Sequence, residues 1–280
     1  VQEQIKVWCT SGPEPVELHR GTGVARLVPR HWHEEFQLCL IERGAGELFY
    51  RGTHHPTPAS SLFIVHPGEV HTNRATVPAG CDYRSLNAPP EVLRRAATAV
   101  TGREQSLPPF FPVPVLSEGG ILRRFLRLHE LLEGAASRLE RDSALLGTLT
   151  RLVERHAERP PASRRDGREP GAAARVREYL EGHYAEEVPL AQLARLAGLS
   201  PHHLNRVFRR MHGIPPHAFQ TQLRLTRARD LLRQDWAPAV VAAETGFVDQ
   251  SHFTRRFKAV MGLTPGAYRK NVQDGRALVV

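Results

Sequence analysis

Residues 246–269, GFVDQSHFTRRFKAVMGLTPGAYR, place an apolar helical stripe beside a crowd of cations. Projected at 3.6 residues per turn, Phe253, Phe257 and Val260 fall on one face, and Ser251, Thr254, Arg255 and Lys258 fall opposite. Gly246 can take the left-handed conformation that ends a preceding helix opened by Pro238, and Asp249 is placed to cap the next one. The stretch therefore reads as the end of one helix, a tight turn and a second, amphipathic helix.

A second copy lies upstream. In LARLAGLSPHHLNRVFRRMHGIPPHAF (193–219), Arg206, Phe208, Gly213 and Pro216 match Arg255, Phe257, Gly262 and Pro265 at a constant shift of 49, while Gly198 and Gly246 differ by 48. One supersecondary unit has been used twice, with one residue inserted in the second turn. Here Gly198 ends the first helix, and Ser200 and Pro201 supply the N-cap and first position of the next. Leu204, Val207, Phe208 and Met211 form its predicted core face, opposite His202, Asn205, Arg206 and Arg209. Pro189 and Ala237 leave the leading helices without a side-chain cap. Between the copies, residues 217–234 predict a continuous helix with Leu225, Ala228 and Leu232 on its inner stripe. Its length is roughly 27 Å, enough to hold two reading helices about one duplex turn apart.

Charge points to the same half of the chain. The 280 residues carry a formal net charge of +9. Residues 1–170 hold 22 Lys and Arg against 20 Asp and Glu, and residues 171–280 hold 16 against 9, a split of +2 and +7. An anionic partner therefore belongs to the C-terminal part. A solvated helix face would explain the cations of one helix alone, but the duplication, the turn glycines and the local charge excess together favour DNA. Short polar side chains and Arg near a helix start suit base edges, and cations one turn later suit phosphates.

These two segments resemble the DNA-binding domain of the AraC/XylS family of bacterial transcription regulators, over about the last hundred residues. The resemblance implies seven helices, two helix-turn-helix units, and activation through contact with RNA polymerase. Carried over by position, it implies base reading by His202, Asn205, Arg206, Gln250, Ser251, Thr254 and Arg255, and phosphate contacts by Arg209, Arg210, Arg256 and Lys258.

The front of the chain follows a different rule. FQLCLIE, GELFYR and SLFIVH read as short strands between Gly and Pro turns, which predicts an antiparallel barrel or jelly roll. HWH (31–33), ERGAGELFYRG and HPGEVHT resemble the cupin-type effector domain of many AraC-family members, over roughly residues 15–90. His31 and His33 alternate onto one strand face and His71 approaches from a later strand, so three imidazoles present a candidate metal set. Gln37 stands near the place where metal-binding cupins supply a carboxylate, with Glu34 and Glu35 close by. The family resemblance instead implies an organic effector held by His31, His33, Gln37 and His71, with no cofactor; Tyr83 and Arg84 are added as candidates to close the pocket, which their spacing does not demand. Plain strand-end histidines are the third reading. His54, His55 and His66 are unassigned.

The expected architecture is α+β and multidomain: a cupin-like domain over 1–158 with its barrel at 15–90, a linker at 159–174, and an all-α double helix-turn-helix domain at 175–280. Two amphipathic stripes at 121–157, joined near Gly134 and Ser143, cap the barrel or meet a second subunit, and the family resemblance favours a homodimer. RPPASRRDGREPGAAA (159–174) has the composition of a solvated connector. No apolar run approaches the roughly 20 residues that span a bilayer. The first residues lack a signal-peptide pattern, and Cys9, Cys39 and Cys81 are too scattered for a disulfide framework. A cytoplasmic regulator without enzymatic activity is the expectation. The rivals are a cupin metalloenzyme with a DNA-binding appendage and a constitutive regulator whose barrel serves protein contact.

Overall fold

A computed structural model describes residues 3–10, 15–134, 138–158 and 168–273, without the side chains of 138, 139, 168–170 and 202. Two compact units emerge, one carrying the sheets and one in which residues 29–32 group with the C-terminal helices. No described helix is long and apolar enough to cross a membrane.

The sheets are built from β1 (Gln4–Cys9), β2 (Glu17–Val24), β3 (Val28–His31), β4 (Phe36–Arg43), β5 (Ala45–Tyr50), β6 (Thr53–Pro58), β7 (Ser61–Val65), β8 (His71–Ala75), β9 (Cys81–Ala88) and β10 (Val115–Leu116). They form a six-stranded sheet, β1-β2-β9-β4-β7-β10, and a four-stranded sheet, β3-β8-β5-β6, to which β3 belongs through its hydrogen bonds to β8. Antiparallel registers such as Leu38↔Leu86 and Leu48↔Asn73 fix which side chains share a face. On β4, Leu38 and Leu40 join the core under the helices, whereas Cys39 and Ile41 pack inward with Leu48, Tyr50, Phe63 and Val65. Both faces are covered, which is why FQLCLI shows no apolar/polar alternation.

Three helices roof the larger sheet: α1 (Pro90–Thr101), α2 (Gly119–Glu133) and α3 (Arg138–His156). Leu93, Phe125, Leu128, Leu149 and Leu152 lie in one core with Leu18, Phe36, Ile64 and Leu86. Most of the apolar stripes of 121–157 is thus buried inside the unit, in agreement with the capping alternative, but Leu146 stays exposed. Ser143 lies within α3 and not at the joint. Neither β1 nor α1 was anticipated.

Described residues of the C-terminal unit form seven helices: α4 (Arg168–Gly182), α5 (Leu190–Ala197), α6 (Pro201–His212), α7 (Pro216–Arg233), α8 (Pro238–Glu244), α9 (Gln250–Met261) and α10 (Pro265–Gln273). Helix α4 begins inside the stretch expected to be linker, because Ala172, Ala173, Val176 and Leu180 recur at helical spacing and are all buried. Residues 159–167 of that connector lie outside the described ones. The helix expected between the repeats is present as α7, with Leu225, Ala228 and Leu232 buried.

Candidate nucleic-acid interface and ligand-binding barrel

Each repeat folds as helix, turn, helix for reasons visible in its residues. After α5, Gly198 sits at φ 66°, and the Ser200 hydroxyl accepts the His203 N–H at 3.2 Å to cap α6. After α8, Gly246 sits at φ 75°, and the Asp249 carboxylate accepts the His252 N–H at 2.6 Å to cap α9. Gly246 is required twice over: a Cβ there would lie 2.0 Å from the Ala185 carbonyl oxygen. Neither Pro189 nor Ala237 caps its helix through a side chain.

The reading helices divide largely as their sequence predicts; the exceptions are Met211, Val260, which is only half-buried, and Thr254. Leu204, Val207 and Phe208 of α6 and Phe253 and Phe257 of α9 are buried, but Met211 is 45% exposed at the end of its helix. Asn205, Arg206, Arg209 and Arg210 are exposed on α6, as are Gln250, Ser251, Arg255, Arg256 and Lys258 on α9; Thr254 is half-buried. Arg256 donates through Nε to His252 Nε2 at 3.3 Å, which braces it along the helix. The His202 side chain lies outside the described ones.

Two residues that the sequence reading missed anchor this unit. From α7, Gln220 donates to the Tyr184 and Glu186 carbonyls at 3.1 and 2.8 Å, and Arg224 donates to the same two at 2.7 and 2.9 Å. Their spacing of four, which places both on one face of α7, was the available signal. The segment after α4 is thereby held by α7 on one side and approached by Gly246 on the other.

His33 and His71 lie in the sheet-bearing unit with their rings 4.9 Å apart, whereas His31 belongs to residues 29–32, which group with the C-terminal helices. All three residues are buried. His33 is not on the strand face expected for it, because β3 ends at His31. Each Nδ1 faces a backbone carbonyl two residues away: Pro29 at 2.9 Å, Glu35 at 2.7 Å and Glu69 at 3.1 Å. Gln37 shares the inward parity of Cys39 and Ile41 on β4, and its Oε1 is buried with no hydrogen-bond partner among the described residues.

Tyr83 and Arg84 are neighbours on β9 and so point to opposite faces. Tyr83 packs against the inward cluster, its ring over Gly21, where a Cβ would come within 2.2 Å. Arg84 points the other way, beneath α2, donating to Glu42 at 3.0 Å, Glu133 at 3.1 Å and His129 Nδ1 at 3.2 Å. Arg84 is therefore withdrawn as a pocket residue. His129 donates its Nε2–H to the His19 carbonyl at 3.1 Å, and burial beside Arg84 pushes its pKa down to about 4. His66 is structural in the same way: its Nε2 accepts the Phe111 N–H at 2.9 Å, its Nδ1 meets the Tyr50 hydroxyl at 2.9 Å, and burial lowers its pKa to about 4.

Comparison with known proteins follows this division. A helix-turn-helix domain family matches residues 193–271, and an AraC-like ligand binding domain family matches residues 15–149. The chain is similar to YbfI of Bacillus subtilis, an uncharacterized HTH-type transcriptional regulator, at 31% identity over 85% of each chain. It is 25% identical, over 96% of each chain, to the HTH-type transcriptional activator RhaS of Salmonella typhimurium. In fold it is similar to an apo variant of ToxT of Vibrio cholerae, with a TM-score of 0.60 at 10% identity over 94% of this chain and 99% of that one.

Proposed function

Because this chain belongs to the AraC family of transcription regulators, with an N-terminal ligand-binding domain and a C-terminal helix-turn-helix domain, we propose that it is an activator switched by a small molecule held in the N-terminal barrel. The observation that carries the DNA side is the duplicated helix-turn-helix, each copy presenting an exposed polar and cationic face on a helix whose back is buried. On this reading Asn205, Arg206, Gln250, Ser251, Thr254 and Arg255, with His202 by position, meet base edges. Arg209, Arg210, Arg256 and Lys258 meet phosphates and set the register.

Barrel occupancy acts by population shift. A ligand that binds one conformation more tightly than another raises the fraction able to grip the operator or RNA polymerase. His31, His33, Gln37, His71 and Tyr83 are the residues assigned to that ligand; no bond making or breaking is needed, and the chain works in the cytoplasm without enzymatic activity. A homodimer completes the proposal. The outward side of α2 and α3 forms a groove lined by Glu118, Arg123, Arg124, Arg127, Arg151 and Glu154. The test is selection of fragments from a random DNA pool by the full chain, with and without a metabolite library. Two recurring sequence blocks about one helical turn apart, enriched more strongly with one metabolite, are expected. Equal retention of all fragments would overturn the reading.

A further inference from the structure

We propose that the groove between α2 and α3 binds one small molecule carrying two or more negative charges on phosphoryl groups, of the pyrophosphate or nucleotide class. Arg155 at the end of α3 donates to the Glu118 carboxylate at the start of α2 at 3.0 Å, so the two helices run antiparallel. Spacings of three and four put Arg123, Arg124 and Arg127 on one face of α2, and Arg151 and Glu154 lie across from them on α3. The groove between these faces has a volume of about 730 Å³, within the range of small-molecule sites. It lies wholly in the sheet-bearing unit, and the proposal does not depend on what occupies the barrel.

The cations of the groove are uncommitted. Elsewhere in this unit arginines meet acids at 2.8–3.1 Å: Arg84 with Glu42 and Glu133, Arg51 with Glu69, Arg74 with Glu47, and Arg43 with Asp82. Arg123, Arg124 and Arg127 are exposed and have no side-chain ion pair or hydrogen bond among the described residues. Both acids at the groove are engaged, Glu118 by Arg155 and Glu154 by Arg151 at 3.4 Å. The start of α2 adds to the positive field, since it opens on Gly119 and Gly120 with no side-chain cap and no acid in its first turn. Arg123 folds back over that turn, and a Cβ on Gly119 would lie 3.2 Å from its Nη1. The helix dipole opposes a cation there, and Arg123 and Arg127, four apart, repel each other. An anion in the groove reverses both effects. General basicity does not account for the patch, because residues 1–170 carry a net charge of only +2. Guanidinium forks take phosphate oxygens two at a time, and open space around Gly147 leaves the floor of the groove clear. Four arginines and a helix start call for more charge than one carboxylate brings, which selects phosphoryl groups.

The test is calorimetric titration of the full chain with inorganic pyrophosphate and with ATP in phosphate-free buffer, with adenosine as the uncharged control. One saturable site per chain is expected for each phosphate and none for adenosine, with affinity falling as salt rises. Tighter binding of ATP than of pyrophosphate assigns a nucleotide, and the reverse assigns a free polyphosphate. In the double variant Arg124→Gln/Arg127→Gln the affinity should fall roughly tenfold or more, and in Arg103→Gln, an exposed arginine just past α1, it should be unchanged, with far-UV circular dichroism constant in both. Absence of saturable binding, or equal binding by the double variant, would overturn the site. A poly-glutamate peptide that binds more tightly than pyrophosphate would overturn it in favour of an acidic protein segment. Loss of operator affinity by the ligand-free double variant would assign the arginines to DNA instead.

Discussion

Arg255 and Lys258 lie three residues apart on the exposed face of α9, yet they are expected to fail differently. Arg255→Ala should cost about 1–3 kcal/mol at the selected operator and relax base choice at one position. Lys258→Ala should weaken every sequence alike and lower the salt slope by roughly one phosphate's worth. Binding isotherms on specific and scrambled duplexes at several salt concentrations separate these outcomes, and uniform losses for both variants would erase the distinction. A second residue-scale expectation concerns His129, which takes up a proton less readily folded than unfolded. Between pH 6.5 and about 4 the unfolded chain binds more protons, so stability is full above that window and falls as pH falls, by on the order of 3 kcal/mol for this group. Urea midpoints across that range should track it, and His129→Gln should flatten the profile. At this scale the sequence was most legible on α6 and α9, where burial alternates with a helical period. It was least legible at Arg84, because nothing local says which face of a doubly covered strand a residue takes.

Among the elements, the turn before α9 makes the sharpest prediction. Gly246→Ala meets both a positive φ and the Ala185 carbonyl, so it should destabilise by well over the roughly 1 kcal/mol that an unobstructed left-handed glycine costs. Urea unfolding measures this; Gly198→Ala, at a turn with open space around it, should cost less. Both helix-turn-helix units were legible because caps, turn glycines and periodicity agree and the copies check each other. Helix α1 was not, although Val92, Leu93, Ala96 and Ala97 carry its stripe, since it follows β9 with only Pro89 between. The start of α4 was hidden for another reason: Pro, Gly and Ala there have connector-like composition, and only burial of Ala172 and Ala173 shows that the small residues pack. The three histidines were legible as a set of residue types. His33 lies beyond the end of β3, which the expected strand alternation did not contain.

For the whole molecule, the +2 and +7 division of charge predicts that residues 162–280, expressed alone, keep operator affinity and salt dependence but lose the response to ligand. Fluorescence anisotropy on the selected operator would show it, and a ligand response retained by the fragment would refute it. If the chain pairs as proposed, light scattering should give twice the chain mass, and the mass of one chain would refute the homodimer. The barrel offers one consequence of its own. Tyr83 and Arg84 hang from a single peptide link, one resting on Gly21 and the other clasping Glu133 and His129 of α2. A guest that shoulders the phenol ring aside leans on the same thread of main chain that tethers the helix, so β9 works like a bell rope through a wall, pulled in one room and heard in the next.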